Sequence, residues 1–205
     1  MSSPSDLAGC RVVATSGEVV RLGDEWRERP AVVVWLRHFG CLLCREQAAA
    51  FRARREEVET LGARLVFVGN GDLSSAREFE AGHCRDCRVL TDPGLDSYRA
   101  IGARRGWRST IGPSSLAAAL RAFRHGHRQG GVRGIPDQQG GVHVVLPGDR
   151  VVYAYLSGSA GDHPPVDAVL DALRAAVDDG TATSTGPPVR GVPGAAARAG
   201  GSGGR

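Results

Sequence analysis

The stretch from Val32 to Glu57, VVVWLRHFGCLLCREQAAAFRARREE, constrains the fold more than any other. Ala31 to Arg37 is a near-continuous apolar run with three adjacent valines, the pattern of a strand buried on both faces of a sheet. Pro30 sits just before it, where a missing N–H does least harm to a ladder. From Leu42 to about Leu61 the period becomes helical, with Ala48, Phe51, Val58 and Leu61 on one face. Cys41 and Cys44 stand at the junction. A Cys-x-x-Cys pair in that place is a redox dithiol, half of a zinc site, or two buried thiols. A second pair, Cys84 and Cys87 in GHCRDC, poses the same choice.

The rest of the chain sets the frame. Residues 10–22 read as two short strands around a Ser-Gly turn. ARLVFVGN is a second buried strand. LSSAREFEAG is a helix with Asp72 or Ser74 near its cap, CRVLTDP a third strand, and GLDSYRAIG a short helix ended by Gly102. SSLAAALRAFR, inside the Gly- and Arg-rich stretch 103–140, reads as a helix capped by Ser114 or Ser115. GVHVVLP and RVVYAYL form a hairpin across PGD. A last amphipathic helix places Val166, Val169, Leu170, Leu173 and Val177 on one face. The order predicts an α/β chain with a thioredoxin-like fold. A central mixed sheet is flanked by helices, with an N-terminal strand pair and an insertion before the C-terminal hairpin. Residues 7–180 form the domain, and 181–205, rich in Gly, Pro and Ala, read as a disordered tail.

Composition removes several function classes. The 205 residues are 41% hydrophobic and 23% charged, ordinary for a globular domain. The longest apolar runs are far short of a membrane span, and MSSPSDLAGC does not read as a signal peptide. The net charge is +4, and all 26 basic residues are Arg. These are scattered among acids without interleaved aromatics, so neither a nucleic acid nor a membrane is expected as partner. Five cysteines without a leader argue for a reducing, cytoplasmic setting, where such pairs are more often catalytic or metal-binding than structural.

In a sheet of this kind the loops after the parallel strands form the reactive edge. Cys41 and Cys44 would face free N–H groups and the positive end of a helix dipole, which favour thiolate over thiol. Arg37 and Arg45 flank the pair and add positive charge. Cys84 and Cys87 precede a strand where Cys41 and Cys44 follow one, so parallel strands would put the pairs at opposite edges. A shared four-sulfur zinc site is disfavoured, and no metal or cofactor is expected. A site of Cys84, Cys87, His83 and a further ligand, or two plain thiols, stays open. His38 could tune the dithiol, but a packed histidine is the plainer reading. Gln138 and the Gly140–Gly141 step could approach it, with a tight turn as the plainer reading. His125, His127 and His163 are expected at the surface. Tyr98 is expected in the core, and Cys10 reads as a small buried hydrophobe. For Trp35 and Trp107, packing is favoured over shaping a pocket.

VVVWLRHFGCLLCRE, LVFVGNG, VLTDPGLDSYRAIG, QQGGVHVVLPGDRVVYAY and GDHPPVDAVLDAL together resemble the peroxiredoxin-like 2 group of the alkyl hydroperoxide reductase/thiol-specific antioxidant superfamily, over roughly residues 7–177. The resemblance implies a thioredoxin-like fold and thiol-dependent reduction of peroxides, with a hydroperoxide substrate and an external thiol reductant such as thioredoxin or a low-molecular-weight thiol. One branch, the prostamide/prostaglandin F synthases, reduces an endoperoxide. Ordinary peroxiredoxins carry Pro-x-x-x-Thr/Ser-x-x-Cys; the aligned positions here are Arg37, Cys41 and Cys44. The arginine expected before the late strand is replaced by QQGGVHVV, which would pass its work to Arg37, Arg45 or Arg108. By this alignment Cys44 attacks the peroxide and Cys41 resolves the sulfenic acid. Thioredoxin logic reverses the roles. The sequence reading leans to Cys44, and both routes end in a Cys41–Cys44 disulfide. The rivals are a thiol–disulfide oxidoreductase acting on proteins and a non-catalytic zinc- or partner-binding module.

Overall fold

The valine run forms the middle of the sheet. A computed structural model describes residues 4–105, 134–159 and 161–180. Its elements in chain order are α1 (Pro4–Gly9), β1 (Arg11–Ala14), β2 (Val19–Arg21), β3 (Ala31–Trp35), α2 (Leu42–Ala53), α3 (Arg55–Thr60), β4 (Arg64–Gly69), α4 (Leu73–His83), β5 (Arg88–Thr91), α5 (Asp96–Ala100), β6 (Gly141–Leu146), β7 (Arg150–Leu156) and α6 (Val166–Asp178). The seven strands lie in the order β2-β1-β5-β4-β3-β6-β7. β3, β4 and β5 run parallel, while β1 and β6 join them antiparallel from either side. All five residues of β3 are buried, as a strand with neighbours on both edges and helices on both faces requires.

Strand alternation divides the interior into two cores. Val32, Val34 and Phe67 pack with Phe51 of α2, Phe79 of α4 and Leu170 and Leu173 of α6. Val33, Trp35, Val66 and Val68 face the other way, onto Leu7 of α1 and Tyr98 of α5.

The predicted strands, the hairpin and the last helix are present, and the α/β, thioredoxin-like mixed sheet is the fold observed. Asp72 caps α4, its carboxylate accepting the Ser75 N–H at 2.8 Å. Three details differ. The helix expected over residues 42–61 is two helices, broken at Arg54 (φ −111°, ψ 15°). No Pro or Gly marks the break, so the apolar period runs through it. The Arg54 side chain is pinned there by Glu57 and by Asp167 at the start of α6. Val177, expected on the inward face of the last helix, is 38% exposed. α1, and a 3-10 turn at Leu22–Glu25, were not foreseen; Leu7, Leu22 and Trp26 bury through them under the second core. The SSLAAALRAFR helix, Trp107, Arg108, His125, His127 and the tail lie outside the described residues.

Candidate active site

Four segments meet at the carboxyl ends of the parallel strands. They are Leu36–Cys44 after β3, Asn70–Gly71 after β4, Asp92 after β5, and residues 134–140, which lead into the antiparallel β6. Close packing fixes the first of them. A Cβ on Gly69 would lie 2.4 Å from the Phe39 ring, so residue 69 must be glycine for Phe39 to seat there. Phe39 also packs on Phe79 with centroids 5.3 Å apart. The Tyr98 hydroxyl donates to Leu36 O at 2.5 Å, with Val68 O 3.1 Å away. Gly140 passes so close that a Cβ there would meet Trp35 O at 2.4 Å.

The Cys41 N–H bonds His38 O at 3.1 Å, closing a turn that delivers Cys41 to the N-cap of α2 and Cys44 to its first turn. Four N–H groups at a helix start have no partner within the helix, and the dipole is positive there. The two sulfurs divide this environment unequally. Cys44 is fully buried and Cys41 is 6% exposed. The Arg37 N–H donates to Cys44 Sγ at 3.3 Å. The neighbouring Cys44 thiol is the largest cause lowering the Cys41 pKa, to about 6. Burial opposes the shift, while the N–H groups of Cys44 and Leu43 and the Arg37 charge support it, although Cys41 makes no hydrogen bond of capping geometry. Burial pushes Cys44 the other way, upward, and a charge on Cys41 pushes it further. Full burial of Cys44 and the opposite shifts of the two thiols therefore favour the negative charge on Cys41.

Arg37 is buried, and two backbone carbonyls hold its guanidinium: Pro136 O at 2.5 Å and Gln138 O at 3.2 Å. Gln138 thus reaches the site through its backbone; its side-chain amide donates to Gln139 O instead. Asn70 ties these loops together. Its amide group donates to Arg37 O, and its Oδ1 accepts the Ile135 N–H at 2.5 Å. Sequence reasoning missed Asn70. The only signal was its place directly after a buried strand.

His38 is buried with Nδ1 unpartnered. Burial, then the charges of Arg37 and Arg45, push its pKa down to about 4, so it is a neutral imidazole at pH 7. Arg45 thus acts on His38. Asp92 ends its strand and accepts Ser97 N–H and Oγ–H at 2.8 and 2.6 Å, while Trp35 Nε1–H donates to Ser97 Oγ at 3.1 Å. Trp35 and Tyr98 are core residues, as expected. Cys10 is only half-buried, and its thiol donates to Asp6 O. The surface reading of His163 is corrected. Both its ring nitrogens are buried against the first turn of α2, and burial pulls its pKa down to about 4. Its sequence neighbours are polar or Pro, so nothing there marked burial.

Cys84 and Cys87 lie at the other end of the sheet, as the strand argument predicts. Cys84 caps the C-terminus of α4 and Cys87 immediately precedes β5. Among the described residues no three His, Cys, Asp or Glu side chains converge as a metal site would need. All five thiols are unlinked.

Residues 50–158 match the AhpC/TSA antioxidant enzyme family. The chain belongs to that family. The matched region begins after Cys44 and does not include the dithiol. One relative is the thioredoxin-like protein AAED1, chloroplastic, of Arabidopsis thaliana, 32% identical over 80% of this chain and 70% of its own length. Another is the prostamide/prostaglandin F synthase of Bos taurus, 30% identical over 82% of this chain and 85% of its own. Together they bear out the resemblance to the peroxiredoxin-like 2 group. Among solved structures, the bacterioferritin comigratory protein of Xanthomonas campestris superposes with a TM-score of 0.62. It is 17% identical, with 86% of this chain and 98% of that one covered. Membership makes this chain an enzyme of thiol-dependent peroxidase and oxidoreductase chemistry. No helix among the described residues is long and apolar enough to cross a membrane.

Proposed function

We propose that the chain reduces hydroperoxides through Cys41 and Cys44, with Cys41 attacking first. The observation that carries this is the unequal setting of the two sulfurs: Cys41, the more exposed, stands at the N-cap of α2 with its pKa lowered, while Cys44 is fully buried and pushed up. It reverses the order that the sequence alignment favours. The Cys41 thiolate displaces the alcohol from the O–O bond; one proton is taken up, and sulfenic acid and alcohol result. The Cys44 thiol then condenses with the sulfenic acid, releasing water and leaving a Cys41–Cys44 disulfide. An external dithiol, of thioredoxin or low-molecular-weight type, returns both thiols and is itself oxidised. Arg37 holds positive charge over both sulfurs in each step, as the arginine before the late strand does in the ordinary pattern. The endoperoxide implied by the synthase relatives has the same scissile O–O bond. A cytoplasmic, reducing compartment suits the cycle. Residues 7–180 are the working domain.

A second reading, thiol–disulfide exchange with protein partners, draws on the same observation, because a stabilised N-cap thiolate backed by a buried thiol serves exchange too. One experiment separates the readings and the order of attack. One equivalent of hydroperoxide is added to Cys44→Ser and to Cys41→Ser, and sulfenic acid is mapped by a dimedone-type probe. Cys44→Ser should consume the peroxide and carry the probe on Cys41, while Cys41→Ser should do neither. A probe on Cys44 in Cys41→Ser would restore the alignment order. Turnover of protein disulfides without any peroxide consumption would favour exchange.

A further inference from the structure

We infer that Cys84 and Cys87 form a second thiol–disulfide exchange site, at the opposite end of the sheet from Cys41 and Cys44, and that it takes small disulfides bearing carboxylates. The backbone is already shaped for the bond. α4 ends at Cys84, and the Cys87 N–H bonds Cys84 O at 3.0 Å. That i to i+3 turn holds the two Cα atoms within about 7 Å, inside the range a disulfide spans. Both thiols pack on the same core. Their exposure is unequal, with Cys84 wholly buried against the Phe79 core and Cys87 only half-buried.

The surroundings differ from those of two inert thiols. Arg52 and Arg55, reaching over from α2 and α3, lower the Cys87 pKa together with the Cys84 thiol, which is the largest cause. The Arg55 guanidinium donates to Asp86 O, and Arg52 pairs with the Asp86 carboxylate at 3.4 Å. These three residues, with Ala49, Ala53 and Glu56, line a cleft of about 410 Å³, and Asp86 in its wall is the chain neighbour of Cys87. Both guanidinium groups are engaged, Arg52 with the Asp86 carboxylate and Arg55 with Asp86 O and the Glu59 carboxylate, all of them contacts at the surface, so a carboxylated ligand binds here by exchanging with them.

The reaction balances without another oxidant. The Cys87 thiolate attacks one sulfur of the small disulfide and expels a thiolate, leaving a mixed disulfide on Cys87. Cys84 loses its proton and attacks the Cys87 sulfur. A second thiolate leaves, and the Cys84–Cys87 bond closes. The protein dithiol is oxidised and the small disulfide is reduced to two thiols.

Tryptic peptides read the two pairs separately. Cys41 and Cys44 share the peptide 38–45, whereas cleavage after Arg85 puts Cys84 and Cys87 in 78–85 and 86–88. Reduced wild type and a Cys41→Ser/Cys44→Ser variant are incubated with oxidised glutathione or with uncharged hydroxyethyl disulfide. In both proteins oxidised glutathione should join 78–85 to 86–88, reversibly with dithiothreitol, and about fivefold faster than the uncharged reagent. Arg52→Ala/Arg55→Ala should erase that preference. Cys84→Ser should trap a glutathione adduct on Cys87. Failure of the two peptides to join in native wild type, an adduct that forms on Cys84 in Cys87→Ser but never on Cys87, or equal rates with the two reagents would overturn the inference. Because peptide 38–45 reports the first pair independently, failure here leaves the peroxide reading standing, and the reverse holds as well.

Discussion

The two Cys-x-x-Cys pairs have the same spacing and opposite settings. Cys41 and Cys44 open a helix that follows a strand; Cys84 and Cys87 close a helix that precedes one. At the first pair the Cys44 thiol, and after it the N–H groups at the helix start and the Arg37 charge, favour the N-terminal sulfur as the anion. At the second, Cys84 at the helix end is pushed up by the neighbouring Cys87 thiol and then by burial. The stabilised sulfur is instead Cys87, through the Cys84 thiol, Arg55 and Arg52. Spacing alone therefore does not say which sulfur is the stabilised one; the partner thiol, burial and the neighbouring charges do.

The largest expected effect that separates the pairs comes from Arg37. Its backbone N–H and its charge both act on the first pair. Arg37→Leu keeps the backbone donor and removes the charge. Peroxide consumption should fall on the order of 10²-fold, with partial rescue in Arg37→Lys, while oxidation of Cys84 and Cys87 stays within about twofold of wild type. Stopped-flow peroxide kinetics and the tryptic map check both arms, and an equal loss at both pairs would break the comparison.

A smaller effect concerns acid. His38, His143 and His163 are held neutral by burial, each with a pKa pulled down to about 4. The unfolded chain takes up those protons near pH 6.5, so stability is full above that value and is lost as pH falls toward 4. His38 and His163 sit beside the first pair, so amide exchange between pH 7 and 5 should rise around Leu36–Leu43 before it rises around Cys84–Cys87. His143→Phe should flatten the fall in melting temperature. A melting temperature independent of pH over this window would contradict the burial argument.

Least is expected from the C-terminus. Residues 181–205 carry no apolar period, so truncation after Gly180 should leave peroxide turnover, both disulfide maps and the melting temperature unchanged. A loss at either pair would give the tail a role in that one.

The succession of strands and helices along the chain and the place of the dithiol were legible because they are written in side chains: the Val32–Val34 run, the switch from period 2 to 3.6 at Leu42, and Gly62 after the helix. The position of Cys84 and Cys87 followed from the same logic. The rest of the site was hidden for two reasons. Arg37 is held by the carbonyls of Pro136 and Gln138, and every residue has a carbonyl, so no pattern marks those two. Asn70 and His163 act across segments far apart in the chain, and short-range periodicity does not see such contacts. The break at Arg54 escaped because its anchor, Asp167, lies on another helix.

The central claim is that the charge of the first pair rests on Cys41. Residue-resolved alkylation of the reduced wild type by iodoacetamide, followed by mass spectrometry from pH 4 to 10, tests it most directly. The account predicts that Cys41 is modified at the lowest pH of the five cysteines, with Cys44 unreactive while the protein is folded. It also predicts that Cys44→Ala moves the Cys41 titration upward by removing the thiol that most lowers it. Modification of Cys44 before Cys41 in the native protein would contradict it.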